Sequence, residues 1–160
     1  MTDMLSHING IESAVSVSDV DVFCVASATL TKGQLVCIPA SNVLSGAVAT
    51  VTTPTTTQRQ TGMIGVCLQD AASGDRIRVR VQGRCSALTK GDGAATVAVG
   101  DQLFVGTGGA LSGAAGTLSN APRYVALAYS GAGSAWGTTA TLRDVIMFGM
   151  IGFGHFGGAA

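Results

Sequence analysis

Four arginines at alternate positions are the residues of this chain best suited to chemistry. They belong to a run in which polar and apolar side chains alternate. The polar set is Arg76, Arg78, Arg80, Gln82 and Arg84, and the apolar set is Ile77, Val79, Val81 and Cys85. Because successive side chains of a strand point to opposite faces, residues 76–85 are predicted to form a half-buried strand with a basic outer face.

This basic face has three interpretations. The planar guanidinium group of arginine binds a carboxylate through two parallel hydrogen bonds, so the face could meet carboxylates of a partner protein. It could equally be a solvated strand face. Single-stranded nucleic acid is a third candidate, but such grooves usually interleave aromatic and basic residues, and this run contains no aromatic residue.

Groups suited to catalysis are few and scattered. The histidines His7 and His155 lie near opposite ends of the sequence, and the single glutamate is Glu12. Aspartates such as Asp75 and Asp101 follow a glycine, which is typical of structural turns. The chain has neither a Gly-x-Ser-x-Gly motif nor a phosphate-binding loop. We therefore predict that the protein is not an enzyme and has no cofactor or metal site.

The four cysteines are expected to be buried thiols. Each lies in an apolar, strand-like run, and their spacing fits no zinc template. They are Cys24, Cys37, Cys67 and Cys85. Two disulfides are the alternative, but small apolar thiols suit a protein made in a reducing cytoplasm.

The composition predicts a protein that associates with copies of itself. Charged residues make up 11% of the chain, against about 25% in ordinary globular domains. Nine basic and nine acidic residues leave no net charge, which argues against direct binding to nucleic acid. An oligomer is the expected state, and a monomer coated with Ser and Thr hydroxyls is the alternative. The most apolar run, residues 145–153, is too short to span a membrane as a helix.

The C-terminal segment has an unusual composition. Residues 149–160 alternate glycine with large apolar side chains, and Phe148, Phe153 and Phe156 lie in or beside them. Glycine allows close approach to another surface, while phenylalanine provides anchors for pockets. The segment is therefore predicted to be an arm that packs on a neighbouring subunit or a larger assembly. Folding back onto its own domain is the alternative.

Short β runs separated by turn signals occupy most of the chain. Strands are predicted at residues 21–26, 34–38, 62–68, 76–85, 96–99, 102–105, 124–129 and 139–148. Residues 40–49 could form a short helix, and residues 50–61 have the composition of an exposed loop. The prediction is an all-β fold, with a single compact β-barrel or β-sandwich of short antiparallel strands. It would span residues 22–148, between an N-terminal arm or lead-in at 1–21 and a C-terminal arm at 149–160.

A weak internal similarity accompanies these strands. The segment around Gly33, Gln34 and Leu35 is similar to the segment around Gly100 and Asp101, and residues 65–68 are similar to residues 124–127. This could reflect a duplicated strand pair or the repeated use of one kind of turn.

The order of these motifs resembles the capsid cement, or head decoration, proteins encoded by tailed phages and prophages. The matching residues are GVCLQDAASGDRIRVRVQG at 65–83, VGDQL at 99–103 and VAL at 125–127. The resemblance implies a homotrimer that binds the major capsid protein on the outer surface of an icosahedral head and stabilises the shell. The arginine-rich strand and the Gly/Phe segment depart from the family pattern, which leaves the mode of contact open.

The main alternative is another β-module of the virion surface, such as a head fibre base or a glycan-binding domain. Glycan sites usually present aromatic platforms, and the candidates here are Tyr124, Tyr129 and Trp136.

Overall fold

The computed structural model describes residues 19–39, 48–54, 63–91, 96–113, 124–129 and 134–148. These residues form eleven strands and one short 3-10 turn at Thr107–Gly109. The strands are β1 Val20–Ala26, β2 Leu35–Cys37, β3 Ala49–Val51, β4 Met63–Cys67, β5 Arg76–Lys90, β6 Thr96–Val97, β7 Gln102–Val105, β8 Leu111–Ser112, β9 Tyr124–Ala128, β10 Ser134–Ala135 and β11 Thr141–Phe148. The predicted all-β class is confirmed. The N-terminal arm predicted at 1–21 is too long, because Val20 and Asp21 belong to β1. Residues 1–18 and the predicted C-terminal arm at 149–160 lie outside the described residues.

Most of the predicted strands are found close to their expected bounds, but β5 is longer than predicted. It continues to Lys90 instead of ending at Cys85. The extension lacks a strong apolar pattern because its inward residues are Ala87 and Thr89, both fully buried. The Thr89 hydroxyl donates to the carbonyl of Thr141 at 3.0 Å, which satisfies this buried polar group.

The prediction of a loop over residues 50–61 is wrong for its first residues. Ala49–Val51 form β3, which pairs in parallel with β1, and Val51 is fully buried. Ala49, predicted to end a helix, is also in this strand, while residues 40–47 lie outside the described part. A three-residue strand is too short to show a periodicity of two, so only the contact with β1 reveals it.

A closed five-stranded barrel forms the C-terminal part of the fold. Its neighbouring strands are β5, β11, β9, β7 and β8, and β8 returns to β5 through a parallel pairing. We call these five strands the C-terminal ring. Its core contains Trp136, Leu103, Leu111 and Val145, all fully buried. The predicted barrel is therefore confirmed, although the pairing of β5 with β8, like that of β1 with β3, is not antiparallel.

A second circuit of paired strands uses the first half of β5. It runs from β5 to β1 and β3, crosses to β2 through an isolated bridge between Thr52 and Cys37, and returns through β4. We call β1–β5 the N-terminal ring. It surrounds a second core that includes Val36, Val51, Ile77 and Val79. The long strand β5 therefore belongs to both rings.

The antiparallel pair β2–β4 contributes to both cores. Leu35 and Val66 are direct partners in this pair and belong to the core of the C-terminal ring. Val36 and Cys67, the next residues along each strand, belong to the other core. Because alternate side chains point to opposite faces, this one strand pair lies between the two cores.

The internal similarity in the sequence corresponds to a repeated turn and register. In the turn at Thr31–Gln34, Gly33 has a φ of 89°, and the Gln34 side chain accepts from the N–H of Thr31 at 2.7 Å. The turn at 98–101 repeats this, with Gly100 at a φ of 90° and Asp101 accepting from the N–H of Ala98 at 2.7 Å. Positive φ at the third position defines a type II turn and favours glycine there.

The strands that follow these two turns also pair alike. Gly33 donates to the carbonyl of Cys67 at 2.8 Å, and Gly100 donates to that of Ala128 at 2.8 Å. Both antiparallel pairs, β2–β4 and β7–β9, then have one register shift. A third turn, residues 72–75, has the same side-chain bond from Ala72 N–H to Asp75 at 2.8 Å and precedes β5. The turn chemistry and the strand pairing after it are thus both repeated, but Val66 pairs as Leu127 does, so the repeat is displaced by two residues from the match of 65–68 with 124–127.

Candidate functional site: the arginine face of strand β5

Strand β5 displays the predicted alternation. Its odd residues are buried and its even residues are exposed or half-buried from Arg76 to Lys90. Arg76, Arg78, Arg80 and Arg84 therefore lie on one outer face, which we call the arginine face. The first half of this face lies beside β1 and the second half beside β11, and the two neighbours meet at Gln82, which pairs with both Val20 and Phe148.

A bulge and a glycine shape the midpoint of this face. The register between β1 and β5 shifts between Val20 and Asp21, and Gly83 has a φ of 101°. A Cβ atom on Gly83 would lie 2.8 Å from the Cα of Asp19. The absence of a side chain at Gly83 thus lets Asp19 approach the strand, where its carboxylate accepts from the N–H of Arg84 at 3.1 Å.

Arg80 is the most enclosed arginine of the four. Its side chain is 13% exposed and bonds the carboxylates of both Asp19, at 2.6 Å, and Asp21. The guanidinium also donates to the carbonyl of Arg84. The hydrogen bond to Asp21 raises the pKa of Arg80. Because Arg80 lies on β5 and contacts carboxylates at the start of β1, it acts as a structural clamp between the two strands.

Arg84 is exposed, but its guanidinium group already contacts a carboxylate and an aromatic ring. Its guanidinium donates to Asp144 of β11 at 2.7 Å and lies 4.3 Å from the ring centroid of Tyr129. Ser86 donates to the other oxygen of Asp144 at 2.9 Å. The hydrogen bonds from Arg84 and Ser86 hold the pKa of Asp144 below its ordinary value.

Arg76 and Arg78 have weaker contacts among the described residues. Arg78 lies 3.6 Å from Asp21, and its side chain is 56% exposed. Arg76 stacks on Phe23 of β1 at 5.0 Å from the ring centroid. Phe23 is itself 58% exposed. We call Phe23, Arg76 and Arg78 the Phe23 patch.

Sequence reasoning identified the arginines but not the residues that pair with them. Asp19, Asp21 and Phe23 share a periodicity of two in the run that leads into β1, and this pattern could have placed them on one face. Asp144 likewise shares a face of β11 with Phe148, which is half-buried. Of the predicted anchors, Phe148 thus lies beside the middle of the arginine face, while Phe153 and Phe156 lie outside the described residues.

The aromatic candidates for a glycan platform differ in exposure. Trp136 is fully buried, and the guanidinium of Arg143 lies 4.7 Å from its ring centroid. Trp136 therefore cannot present a flat surface to a sugar. Tyr129 is 43% exposed, but Arg84 already covers its ring.

The predicted state of the cysteines is confirmed. All four are buried and remain thiols. Burial raises the pKa of Cys85 to about 12 and that of Cys37 to about 11. The thiolate is the reactive form of cysteine, so these side chains are inert packing groups at neutral pH.

Membrane spans and metal clusters are both absent from the described part of the chain. No helix there is long and apolar enough to cross a membrane. The same residues include no group of three or more His, Cys, Asp or Glu side chains placed to hold a metal ion.

The fold is similar to that of a known phage protein. No family model and no curated protein matches the sequence. Among solved structures, the chain is similar to the head fiber gp8.5 N base of bacteriophage phi29, with a TM-score of 0.50 and 13% sequence identity. The similarity covers 81% of this chain and 94% of that chain. At this identity, the comparison concerns the fold alone.

Proposed function

We propose that this chain is a non-catalytic structural protein of a phage virion, bound to the outer surface of the head. The observation that carries this proposal is the shared fold, which covers 94% of a head fiber base. Because a fold alone does not imply a function, the surface supplies a second argument. The arginine face presents exposed Arg and aromatic side chains, which are the types enriched in protein interfaces.

The finer proposal is a capsid cement protein. Homotrimers would each contact several copies of the major capsid protein, so that individually weak contacts add through multivalency. The order of sequence motifs resembles this family, and the low content of charged residues suits a surface covered by partners. Such a protein would be made in the cytoplasm of the bacterial host and would bind neither nucleic acid nor membrane.

A head fibre base is the second candidate, and the solved structure that the chain resembles favours it. In this role the described domain would occupy a limited number of positions on the head and hold a projecting structure. The two candidates differ in what the head loses when the protein is absent.

Virions of the phage that encodes this chain, with and without its gene, provide the test. A cement protein should be abundant in purified virions, and heads without it should release DNA at a lower temperature. Adding the purified chain should restore the release temperature. A fibre base should leave the release temperature unchanged while a projection disappears from electron micrographs. Absence of the protein from purified virions would contradict both candidates.

The C-terminal segment is proposed as a second anchor and is tested by shortening the chain to end at Phe148. If residues 149–160 bridge subunits or bind the shell, the shortened protein should keep its β circular dichroism but lose trimer stability or occupancy on heads. Unfolding of the shortened protein would assign the segment to its own core. Unchanged assembly and occupancy would refute the arm.

A further inference from the structure

We infer that the Phe23 patch is a docking surface for carboxylates on a protein other than this chain. The inference rests on the proposed function and specifies which part of the arginine face makes the contact. Phe23 and Arg78 are direct partners across β1 and β5, and Arg76 stacks on the Phe23 ring. An exposed aromatic ring beside exposed arginines has the composition of an interface hot spot.

The charges on this half of the arginine face do not balance. Three arginines, Arg76, Arg78 and Arg80, face two carboxylates, Asp19 and Asp21. Both carboxylates bond Arg80, and the one remaining contact, from Arg78 to Asp21, is 3.6 Å long. One positive charge is left over (three minus two), carried on exposed side chains that can bind a carboxylate through two hydrogen bonds.

Each described carboxylate of this chain already has a hydrogen-bond or ion-pair partner. Asp19, Asp21 and Asp144 bond arginines. Asp70, Asp75 and Asp101 accept from the backbone N–H groups of Lys32, Ala72 and Ala98 at 2.7, 2.8 and 2.7 Å. A second copy could offer only the remaining oxygens of carboxylates that already have a role in its own fold, so the described residues supply no unengaged carboxylate. The complementary charge is therefore assigned to a different protein, which on a phage head is the shell.

A protein partner fits this patch better than a nucleic acid does. A single surplus charge neutralises only one phosphate, whereas binding to nucleic acid depends on releasing counterions from several phosphates. The patch instead combines a small charge excess with an apolar ring that is more than half exposed. Burial of that ring would add to the binding free energy in proportion to the area removed from water.

The test measures binding of the full chain to heads that lack it, by sedimentation. The double variant R76Q/R78Q and the single variant F23A should each weaken binding about tenfold or more. The matched control is K32Q, because Lys32 is exposed and lies outside the arginine face, so this variant removes a positive surface charge without altering that face. K32Q should bind like the unmodified chain. Thermal unfolding of each variant shows whether a loss of binding reflects a loss of fold. If R76Q/R78Q does not fold, the binding of F23A tests the inference instead.

The identity of the partner groups is tested on the heads themselves. Heads whose surface carboxylates are converted to amides with a carbodiimide and glycinamide should bind the unmodified chain about as weakly as native heads bind R76Q/R78Q. Undiminished binding to amidated heads would refute the inference.

Other outcomes separate this inference from the proposed function. If the unmodified chain does not bind heads at all, the proposed function fails. If it binds and both patch variants bind equally well, only the inference fails. Loss of self-association in R76Q/R78Q, measured by light scattering, would assign the patch to a second copy. Binding of the chain to DNA that R76Q/R78Q abolishes would assign it to nucleic acid. Either of these results overturns the inference.

Discussion

The two halves of strand β5 present the same residue type to different neighbours. Beside β1, Arg80 is enclosed by two aspartates, while Arg76 and Arg78 remain exposed next to Phe23. Beside β11, Arg84 is matched by one aspartate and stacks on Tyr129. Arg84 therefore has a carboxylate partner within the chain, whereas the first half keeps one arginine more than it has carboxylates, beside an exposed ring.

This difference shows that equivalent positions in a strand need not have equivalent roles. Alternation determines which side chains share a face, but the neighbouring strand determines which of them are neutralised. The two underlying cores also differ, since the C-terminal ring buries Trp136 and the core of the N-terminal ring contains no aromatic side chain among its described members. Four sets of variants probe this asymmetry, beginning with the largest expected effect.

Truncating Trp136 should produce the largest loss of stability. Trp136→Ala removes the largest fully buried side chain and should lower the free energy of unfolding by about 3 to 5 kcal/mol. In the other core, Ile77→Val should cost only about 0.5 to 1.5 kcal/mol. Urea denaturation followed by circular dichroism measures both. A smaller loss for the tryptophan variant than for Ile77→Val would contradict the assignment of Trp136 as the centre of the C-terminal core.

The junction between the two halves should tolerate no side chain at Gly83. Gly83→Ala adds a methyl group that meets the backbone of Asp19 and also strains a positive φ. Strain and overpacking together should cost about 2 to 4 kcal/mol. Gly74→Ala is the matched control, because Gly74 has a φ of 93° but a Cβ added there would meet no described atom within 4 Å, and it should cost about 1 kcal/mol. Equal losses in the two variants would mean that the approach of Asp19 contributes nothing.

Removing Arg80 should cost more stability than removing Arg84. Arg80→Gln leaves Asp19 and Asp21 without their main partner at a site where the arginine is 13% exposed, so we expect a loss of about 1 to 2 kcal/mol. Arg84→Gln removes a surface ion pair whose arginine side chain is 57% exposed, so its effect on unfolding should be small. A comparison of the two thermal unfolding curves tests this order, and the reverse order would refute the clamp role of Arg80.

The smallest expected effect is the contribution of Asp144 to the pH dependence of folding stability. Its folded pKa is lowered from 3.8 by Arg84 and Ser86, so the ionised carboxylate stabilises the fold above the unfolded pKa. This contribution is lost as the pH falls through the folded pKa. The stability difference between the unmodified chain and Asp144→Asn should therefore be present at neutral pH and shrink below a pH of about 4. Urea unfolding at several pH values measures it, and a difference that grows on acidification would have the wrong sign.

Local patterns were sufficient to predict much of the fold. The alternation at residues 76–85 predicted the buried and exposed faces of β5, and the apolar surroundings of the cysteines predicted their burial. The repeated turn was visible as glycine followed by Gln34 or Asp101. These features could be predicted because each depends on residues that are neighbours in the chain.

The pairing of strands, by contrast, was decided by the tertiary structure. The contacts of Arg80 with Asp21 and of Arg84 with Asp144 join residues about 60 positions apart, and no local pattern specifies them. The short strand β3 and the parallel pairings have the same cause, since their hydrogen bonds are made only after distant segments meet. By itself, the sequence determined that β5 has a basic face. The register of β1 and β11 against β5 decided which arginines on that face remain available to a partner, because a charge is neutralised only by a group that lies within a few ångströms of it.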